Sequence, residues 1–296
     1  MNSRRLRTWL FVPGADEAAH VAAATSGADV LVQEFEDFTP PALRPRARAL
    51  APALLARWRK SGAAAGVRVN PLEGEGLAAL AAVMPGRPEF VMMSKVATPG
   101  QVALLDVEVT QLERALGIPQ GATRLVPNVE SAAGLMRCFE IAKASPRIAA
   151  LLVASEDMVA DLGTARSRRG EELAYVRARF LVECRAAGVE AIDCPYTFSD
   201  AKGAAADALT AKKLGYRAKS LVIAGHAVAV NRVFTPSAAE IAKARRIVAA
   251  FEKARAAGRE RAKVDGAWIE VPIHAAATRL LASVSNTSAP RRKKPR

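Results

Sequence analysis

Four short segments of this chain run apolar and then end on charged side chains. The segments VLVQEFED, AAGVRVN, RLVPNVE and IAALLVASED carry, in that order, Glu36 with Asp37, Arg68, Glu130, and Glu156 with Asp157. Apolar runs of this length, rich in Val, Leu and Ile and followed by helical stretches, are typical of strands buried on both faces of a parallel sheet. Because ligands bind at the carboxyl ends of such strands, the repeated charges predict one polar pocket. Several carboxylates and one arginine indicate a divalent metal and an anionic substrate.

The chain contains strand-like segments that alternate with alanine-rich amphipathic stretches. Eight strand–helix units over ~250 residues are typical of a (β/α)8 barrel. The sequence therefore predicts an α/β fold, a TIM barrel with a C-terminal helical extension. A doubly wound open sheet is the alternative, but no GxGxxG motif follows the first strand. The predicted strands are 8–13, 30–36, 65–70, 90–96, 123–130, 149–155, 190–196 and 218–224.

The sequence divides into three predicted regions. Residues 1–257 are assigned to the barrel domain with its final helix. Residues 258–285 form a predicted extension, in which Asp265-Gly266 is the turn of a hairpin and a short helix follows. Its few apolar side chains are too small a set to bury alone, so we expect it to contact another subunit. Residues 286–296 are predicted to be a disordered basic tail.

Composition limits the classes of partner. The net charge of +14 invites a nucleic-acid interpretation, but the last six residues, RRKKPR, supply five of the positive charges, and no recognition motif accompanies them. Nucleic acid is therefore not the expected partner, and the positive field suits an anionic substrate. No apolar stretch is long enough to span a membrane. Three cysteines without metal-ligand spacing indicate free thiols, and we expect a cytoplasmic protein.

An ordered set of motifs resembles the citrate lyase β-subunit family, which is related to the HpcH/HpaI aldolases and to malyl-CoA and citramalyl-CoA lyases. The motifs are LFVPG, VLVQEFEDFTPP, VRVNPLEGEG, MSKV, PNVESAAGL, ASEDMVADLG, AIDCPYTFSD and VNRVFTPSAAEIAKARRIV. They run in order over residues 8 to about 284. The resemblance implies a (β/α)8 barrel, trimeric or hexameric, that uses Mg²⁺ to make or break a carbon–carbon bond beside a carbonyl.

Glu130 and Asp157 are the candidate metal ligands. They follow neighbouring predicted strands, which brings two carboxylates close enough to share one hard cation, and Mg²⁺ needs no more protein ligands than two because it keeps waters. The resemblance assigns the same two positions to the metal. The alternative is that Glu130 is a charge favoured by a helix N-terminus and that Asp157 is a helix N-cap.

Four further side chains surround the predicted metal. Arg68 needs a partner at the end of a buried strand. The resemblance gives it the substrate carbonyl or enolate oxygen, and pairing with Glu36 or Asp37 is a compatible alternative. The resemblance places Glu36 and Asp37 beside the metal, where they orient its waters and Arg68 without direct ligation. Lys95 is either a contact for a substrate carboxylate or a salt bridge at the barrel mouth.

The sequence departs from the family pattern at three places. No arginine follows LFVPG, where GADEAAH stands; Ile223 and His226 replace a usual histidine and glutamine; and Glu270 in GAWIEVP replaces an aspartate that a neighbouring subunit contributes in the CoA-thioester lyases. These departures bear on the CoA ester more than on the metal site.

The predicted function is Mg²⁺-dependent cleavage of a citryl-, malyl- or citramalyl-type 3-hydroxy acyl thioester into a 2-oxo acid and an acyl thioester. The expected partners are a 2-oxo acid or acyl-CoA-type substrate and further copies of the chain, with Glu270 as the acid/base. The alternatives are a CoA-independent aldolase on pyruvate or oxaloacetate adducts, and a non-catalytic protein that binds acidic ligands or RNA.

Overall fold

The computed structural model describes residues 5–285, and the predicted basic tail lies outside them. Eight parallel strands form a closed barrel in which each strand pairs with its neighbour in the sequence and β8 pairs with β1. This confirms the predicted (β/α)8 fold. The strands are β1 Thr8–Pro13, β2 Val30–Glu34, β3 Ala64–Val69, β4 Phe90–Met93, β5 Arg124–Val129, β6 Ala150–Val153, β7 Glu190–Asp193 and β8 Ala218–Leu221.

Helices follow the strands and cover the outside of the barrel. Those of the barrel unit are α1 Glu17–Thr25, α2 Arg44–Ser61, α3 Leu77–Val83, α4 Pro99–Ala115, α5 Ala132–Met136, α6 Cys138–Lys143, α7 Glu156–Asp161, α8 Ala174–Ala187, α9 Ala201–Leu214 and α10 Ala227–Phe234. Short helical turns occur at Pro41–Leu43, Leu72–Gly76, Met84–Gly86, Glu171–Leu173 and Ala224–His226. Two predicted end signals are present: Ser131 caps α5 by accepting a hydrogen bond from Gly134, and Gly188 follows α8 with a φ of 77°.

Strand alternation sorts the apolar side chains into two cores. One core fills the barrel interior and includes Trp9 and Phe90, whose rings meet edge to face with centroids 4.8 Å apart. The other lies between the barrel and its helices and includes residues of the opposite strand face, such as Leu31 and Val91. Towards the carboxyl ends of β2 and β3 the inward face carries charged side chains, Glu34 and Arg68, in place of apolar ones.

The predicted strands start within one residue of the observed ones but extend up to three residues too far. The largest overruns are at the ends of β4, β7 and β8. There the polypeptide leaves the sheet early to form the loops at the barrel mouth, and at Lys95 it adopts a left-handed φ of 55°. Apolar residues continue into these turns, where several of them are buried or partly buried, so apolar patterning does not detect the point at which the strand ends.

Asp193 at the end of β7 lies in a buried ion network on the outer side of the strands. Arg177 of α8 holds it with a bidentate pair of 2.8 and 2.7 Å, and the Lys219 ammonium of β8 lies 2.6 Å from it. Asp207 of α9 completes the network at 2.9 Å from Arg177 and 2.5 Å from Lys219. Two cations and two anions therefore balance, and the network joins β7 and β8 to both covering helices.

The described residues outside the barrel form a second compact unit, which consists of Arg5 and residues 235–285. It contains α11 Ala238–Ala256, the predicted hairpin of β9 Ala262–Val264 and β10 Ala267–Ile269, and α12 Val271–Ser285. Its small core packs Ile247 and Phe251 of α11 against Ile269. The sequence placed α11 with the barrel, whereas α11 shares its core with the C-terminal segment. The predicted domain boundary at residue 257 remains a prediction about folding.

The structure also bears on the cysteines and on membrane-spanning helices. Cys138, Cys184 and Cys194 are buried free thiols. Between residues 5 and 285, no helix combines the length and the apolar character that crossing a bilayer requires.

Glu113 anchors the loop between α4 and β5. Its buried carboxylate accepts hydrogen bonds from the backbone N–H groups of Gly121 and Thr123, both at 2.8 Å, and pairs with Arg147 at 2.7 Å. Burial alone would raise the pKa of Glu113, but these hydrogen bonds and the charge of Arg147 outweigh burial and hold the pKa below its usual value.

We predict that Glu113→Gln lowers the free energy of unfolding by about 2 kcal/mol at neutral pH, because the buried Arg147 loses one of its two carboxylate partners and keeps only Asp106, at 2.6 Å. Since the folded-state pKa of Glu113 is depressed, its stabilisation is present above the unfolded pKa and is lost as the pH falls through the folded one. Urea unfolding of both proteins as a function of pH should therefore show a difference that narrows in acid. The exposed Glu140→Gln is the matched control; equal stability of the two variants would contradict the prediction.

Candidate metal centre and active site

The predicted site residues meet at the carboxyl ends of β2 to β6. Glu36 and Asp37 follow β2, Arg68 lies in β3, and Lys95 follows β4, while Glu130 follows β5 and Asp157 lies in the first turn of α7 after β6. Ion pairs join Arg68 and Lys95 to the acidic residues of this group, and Asp157 acts on Glu130 and Lys95 through space. The structure thus brings together the barrel residues that the sequence singled out.

Arg68 is the centre of this group. The side chain is 8% exposed, and its guanidinium faces three carboxylates. Nη2 lies 2.9 Å from Glu34 and 3.1 Å from Glu36, and Nη1 lies 3.7 Å from Glu130. Burial would lower the pKa of Arg68, but these carboxylates raise it, so the side chain keeps its charge. The anticipated pairing with Glu36 is present, and the pairing considered with Asp37 is replaced by one with Glu34.

Glu34 is the site residue that the sequence analysis missed. Its side chain is fully buried, and Oε1 accepts hydrogen bonds from Arg68 Nε at 3.0 Å and from the backbone N–H of Glu36 at 2.5 Å. Oε2 accepts a third hydrogen bond, from the N–H of Phe38 at 2.8 Å. Glu34 therefore fixes both the arginine and the loop that carries Glu36 and Asp37. Strand alternation contains the signal, because Val30, Val32 and Glu34 share the inward face of β2.

Two aromatic rings lie against Arg68. The guanidinium carbon is 5.1 Å from the centroid of Phe11 in β1 and 5.7 Å from that of Phe38. Such contacts attract the cation and exclude water from it. The arginine is thereby held in one position, with Nη1 directed towards Glu130 and away from the closest ion pairs.

Glu130 is a buried carboxylate with few compensating contacts. Within residues 5–285 neither of its carboxylate oxygens has a hydrogen-bond donor, although both are buried. Burial and the negative charges of Glu36 and Asp157 raise the pKa of Glu130 to about 8, against the opposing effect of Arg68 and Lys95. A buried carboxylate with so little compensation is one that a divalent cation would stabilise.

Asp157 supplies a second carboxylate beside Glu130. It is half-buried, and no hydrogen bond to its side chain is found among the described residues. It does not cap α7, whose N-cap is Ser155. Its neighbour Glu156 is held by Thr197 at 2.9 Å and by Arg166 at 3.3 Å, which ties this loop to the one after β7. Two neighbouring carboxylates suit Mg²⁺, which keeps several waters. Within residues 5–285, no three or more His, Cys, Asp or Glu side chains are arranged so that together they could hold a metal ion.

Lys95 lies in the acidic cluster at the barrel mouth, whereas Glu270 belongs to the second unit. The Lys95 ammonium lies 2.6 Å from Glu36 and 4.0 Å from Asp37, so the anticipated salt bridge at the barrel mouth is present. Glu270 belongs to the second unit, where its side chain is exposed between β10 and α12 and its backbone carbonyl accepts hydrogen bonds from Ile273 and His274. Its catalytic role remains a prediction.

The positions that depart from the family pattern have local structural roles. Asp16, in the stretch that lacks an arginine, caps α1 by accepting a hydrogen bond from the N–H of Ala19 at 2.9 Å. His226 is buried, and its Nε2 lies 3.2 Å from the carbonyl oxygen of Ser199. Asp16 thus places a negative charge at the start of α1, where the family pattern has an arginine.

Comparison with known proteins gives consistent matches over most of the chain. A family profile described as HpcH/HpaI aldolase/citrate lyase matches residues 7–224. The citrate lyase subunit beta of Leuconostoc mesenteroides subsp. cremoris is 31% identical, with 95% of this chain and 94% of that protein covered. The L-malyl-CoA/beta-methylmalyl-CoA lyase of Rhodobacter capsulatus is 32% identical, with 86% and 87% covered.

A solved structure shows the same relationship. The citrate lyase beta subunit from Mycobacterium tuberculosis, complexed with oxaloacetate and magnesium, superposes with a TM-score of 0.65 at 26% identity. The match covers 80% of this chain and 100% of the chain in the solved structure.

We predict that Glu34 and Arg68 are energetically coupled. Glu34→Gln should lower the free energy of unfolding by about 3 kcal/mol, because it leaves a buried arginine with incomplete compensation, whereas adding Arg68→Met should recover part of that loss. A double-mutant cycle by urea unfolding measures the coupling. Glu17→Gln, at an exposed ion pair with Arg46, is the control and should cost less than about 1 kcal/mol. Additive effects of Glu34→Gln and Arg68→Met would refute the coupling.

Proposed function

Because this chain belongs to the HpcH/HpaI aldolase/citrate lyase family, a family of carbon–carbon lyases, we propose that it cleaves a 3-hydroxy acyl thioester of the citryl, malyl or citramalyl type. The products would be a 2-oxo acid and an acyl thioester. The observation that carries this proposal is the buried Arg68 framed by carboxylates beside Glu130, whose own oxygens have no hydrogen-bond donor in the described part of the chain.

Glu130 and Asp157 would hold Mg²⁺. The ion supplies Lewis-acid polarisation of a substrate oxygen when it is bound. The proposal rests on the missing donors at Glu130 and on the electrostatic coupling of the two carboxylates, and a related solved structure contains magnesium. Glu36 and Asp37 would orient the surrounding waters, since Arg68 already holds Glu36 at 3.1 Å.

Arg68 would bind the oxygen on which charge develops. Cleavage removes the proton of the substrate hydroxyl, breaks the bond between the hydroxyl-bearing carbon and its neighbour, and leaves the electron pair on the thioester fragment as an enolate. Nη1 of Arg68 has its nearest ion-pair partner 3.7 Å away, so it retains donor capacity for that enolate oxygen. Lys95, half-exposed at the mouth, would contact the carboxylate of the 2-oxo acid fragment.

Glu270 is our candidate for the acid/base, and we propose that another copy of the chain provides it. The segment that carries it, β10 and the start of α12, exposes Trp268, Val271 and Ile273, which are 50%, 54% and 42% exposed in the single chain. Apolar exposure concentrated in so short a segment favours burial against another subunit. A trimer or hexamer would satisfy this geometry.

A free-acid aldolase is the second candidate, and the start of α1 favours it. Asp16 and Glu17 give this helix N-terminus two negative charges where a phosphorylated cofactor would need positive ones. Turnover of malyl-CoA and citramalyl-CoA, compared with that of free hydroxy-oxo acids such as the pyruvate aldol adducts, separates the two functions.

We predict that Glu130→Gln and Asp157→Asn each abolish Mg²⁺-dependent lyase activity while they leave the fold intact, because each removes one of two anionic ligands. Activity should be assayed on the thioesters and on the free acids, with EDTA and with added Mg²⁺, and circular dichroism should monitor the fold. Asp265→Asn, in the exposed hairpin turn, is the matched control and should retain activity. Full activity of the wild-type protein in EDTA would remove the metal from the proposal.

We also predict complementation between subunits. Glu270→Gln and Asp157→Asn should each be inactive, but mixed oligomers should recover partial activity, since some sites would combine an intact metal centre with an intact Glu270 from a neighbour. Subunit exchange should be verified by mass spectrometry of differently tagged chains. Exchanged mixtures that stay inactive would show that Glu270 acts within its own chain or not at all, and a monomer in solution would exclude the arrangement.

A further inference from the structure

Lys95 reaches the acidic cluster through an unusual backbone conformation. The interior core contains Phe90 and Met92 and the outer core contains Val91 and Met93, so simple alternation would direct the side chain of residue 95 outward. Instead the backbone at Lys95 has a φ of 55°, a left-handed conformation that costs a non-glycine residue energy.

The turn that contains Lys95 is pinned on both sides. The N–H of Ser94 donates to the carbonyl of Val69 in β3 at 3.2 Å, and the N–H of Val96 donates to that of Asn128 in β5 at 3.0 Å. The neighbouring strands therefore enforce the left-handed residue, which carries the lysine across the barrel mouth to Glu36.

The acidic cluster carries more negative than positive charge. Within the described chain, five carboxylates meet at the mouth, whereas the basic side chains paired with them are Arg68 and Lys95. The carboxylates are Glu34, Glu36, Asp37, Glu130 and Asp157. Each uncompensated carboxylate raises the electrostatic energy of the others, so the cluster attracts any cation that can approach it.

The two cations differ in mobility. Arg68 is 8% exposed and is held by Glu34 between two aromatic rings. Lys95 is 49% exposed, and its ammonium is held by one close ion pair, at 2.6 Å from Glu36. A long, flexible lysine with a solvated stem can leave this position, whereas the arginine cannot leave without exposing a buried carboxylate.

We propose that the Lys95 ammonium is the resident counter-cation of this cluster, which a divalent cation displaces and which then binds the carboxylate of a 2-oxo acid. This inference rests on the proposed function, because it assigns the cation to Glu130 and Asp157. Lys95 thus opposes metal binding in the absence of substrate and favours substrate binding once the metal is present. The pKa of Lys95, raised by its hydrogen bond to Glu36, is consistent with a permanently charged competitor.

The sign of one measurement separates this role from a supporting one. If Lys95 only orients Glu36 around the metal, its removal should weaken metal binding. If Lys95 competes with the metal, its removal should strengthen metal binding, since one unit of repulsion disappears. A gain of about fivefold or more is the scale that Coulomb attraction between nearby charges gives near a solvated surface.

The experiment uses the full-length protein and Lys95→Met, which keeps the length of the side chain without its charge. Mn²⁺ binding is followed by electron paramagnetic resonance without substrate, and pyruvate binding is followed by calorimetry at saturating Mg²⁺. We expect Mn²⁺ to bind about fivefold or more tightly and pyruvate to bind about tenfold more weakly than in the wild-type protein. The metal-free variant should also melt at a lower temperature and gain more from Mg²⁺ than the wild type does.

Lys143→Met, which removes an exposed charge on α6, is the matched control and should leave both affinities unchanged. If Lys95→Met does not fold, Lys95→Gln should show the same combination of tighter Mn²⁺ binding and weaker pyruvate binding. Unchanged or weaker Mn²⁺ binding in the Lys95 variants would overturn the competitor role while the metal site stands. A wild-type protein that binds no Mn²⁺ would overturn the metal site itself and, with it, this inference.

Discussion

A charged arginine enclosed by protein is the constraint around which the barrel mouth is organised. Arg68 is nearly inaccessible to solvent, and Glu34, which is fully buried, compensates it at 2.9 Å. Without Glu34, the buried Arg68 would lose its closest compensation and keep only Glu36 and Glu130, at 3.1 and 3.7 Å, which costs free energy of folding. Glu34 also binds the N–H groups of Glu36 and Phe38, so the same carboxylate that neutralises the arginine shapes the loop after β2. One ion pair therefore contributes both to the stability of the barrel and to the shape of the proposed site.

The electrostatic balance becomes less complete towards the solvent. At the bottom of the site Glu34 and Arg68 neutralise each other, whereas Glu130, higher in the mouth, keeps a pKa of about 8 because burial and its acidic neighbours outweigh the nearby cations. Asp157 and Asp37 lie further out and add negative charge. This gradient explains why the flexible Lys95 and an exchangeable metal would both bind near the solvent, while the rigid Arg68 lies deeper in the site.

The sequence carried most of the fold and part of the site. Apolar runs located all eight strand starts within one residue, since a strand buried on both faces is continuously hydrophobic. Glu130 and Asp157 were identifiable because they follow strands in sequence. Glu34 was not, because a carboxylate inside a strand looks like an interruption until the inward face of that strand is known. Asp193 shows that a charge at a strand end is not sufficient evidence of a site residue: it ends β7, but its side chain points to Arg177 and Lys219 between the barrel and the helices. The left-handed turn at Lys95 left no trace in composition, because neighbouring strands and not local propensity impose it.

The network of Arg177, Asp193, Asp207 and Lys219 constrains how the chain can close and how it can change. It spans β7, β8, α8 and α9, so the last strand of the barrel cannot dock without dehydrating four charges at once. Closure of the barrel should therefore be a single cooperative event, with no stable intermediate in which only one of the pairs has formed. The same coupling affects how these four positions can change in evolution. Homologues should either keep all four charges or replace them together with apolar side chains, because each single substitution would leave a buried charge uncompensated and lower the stability.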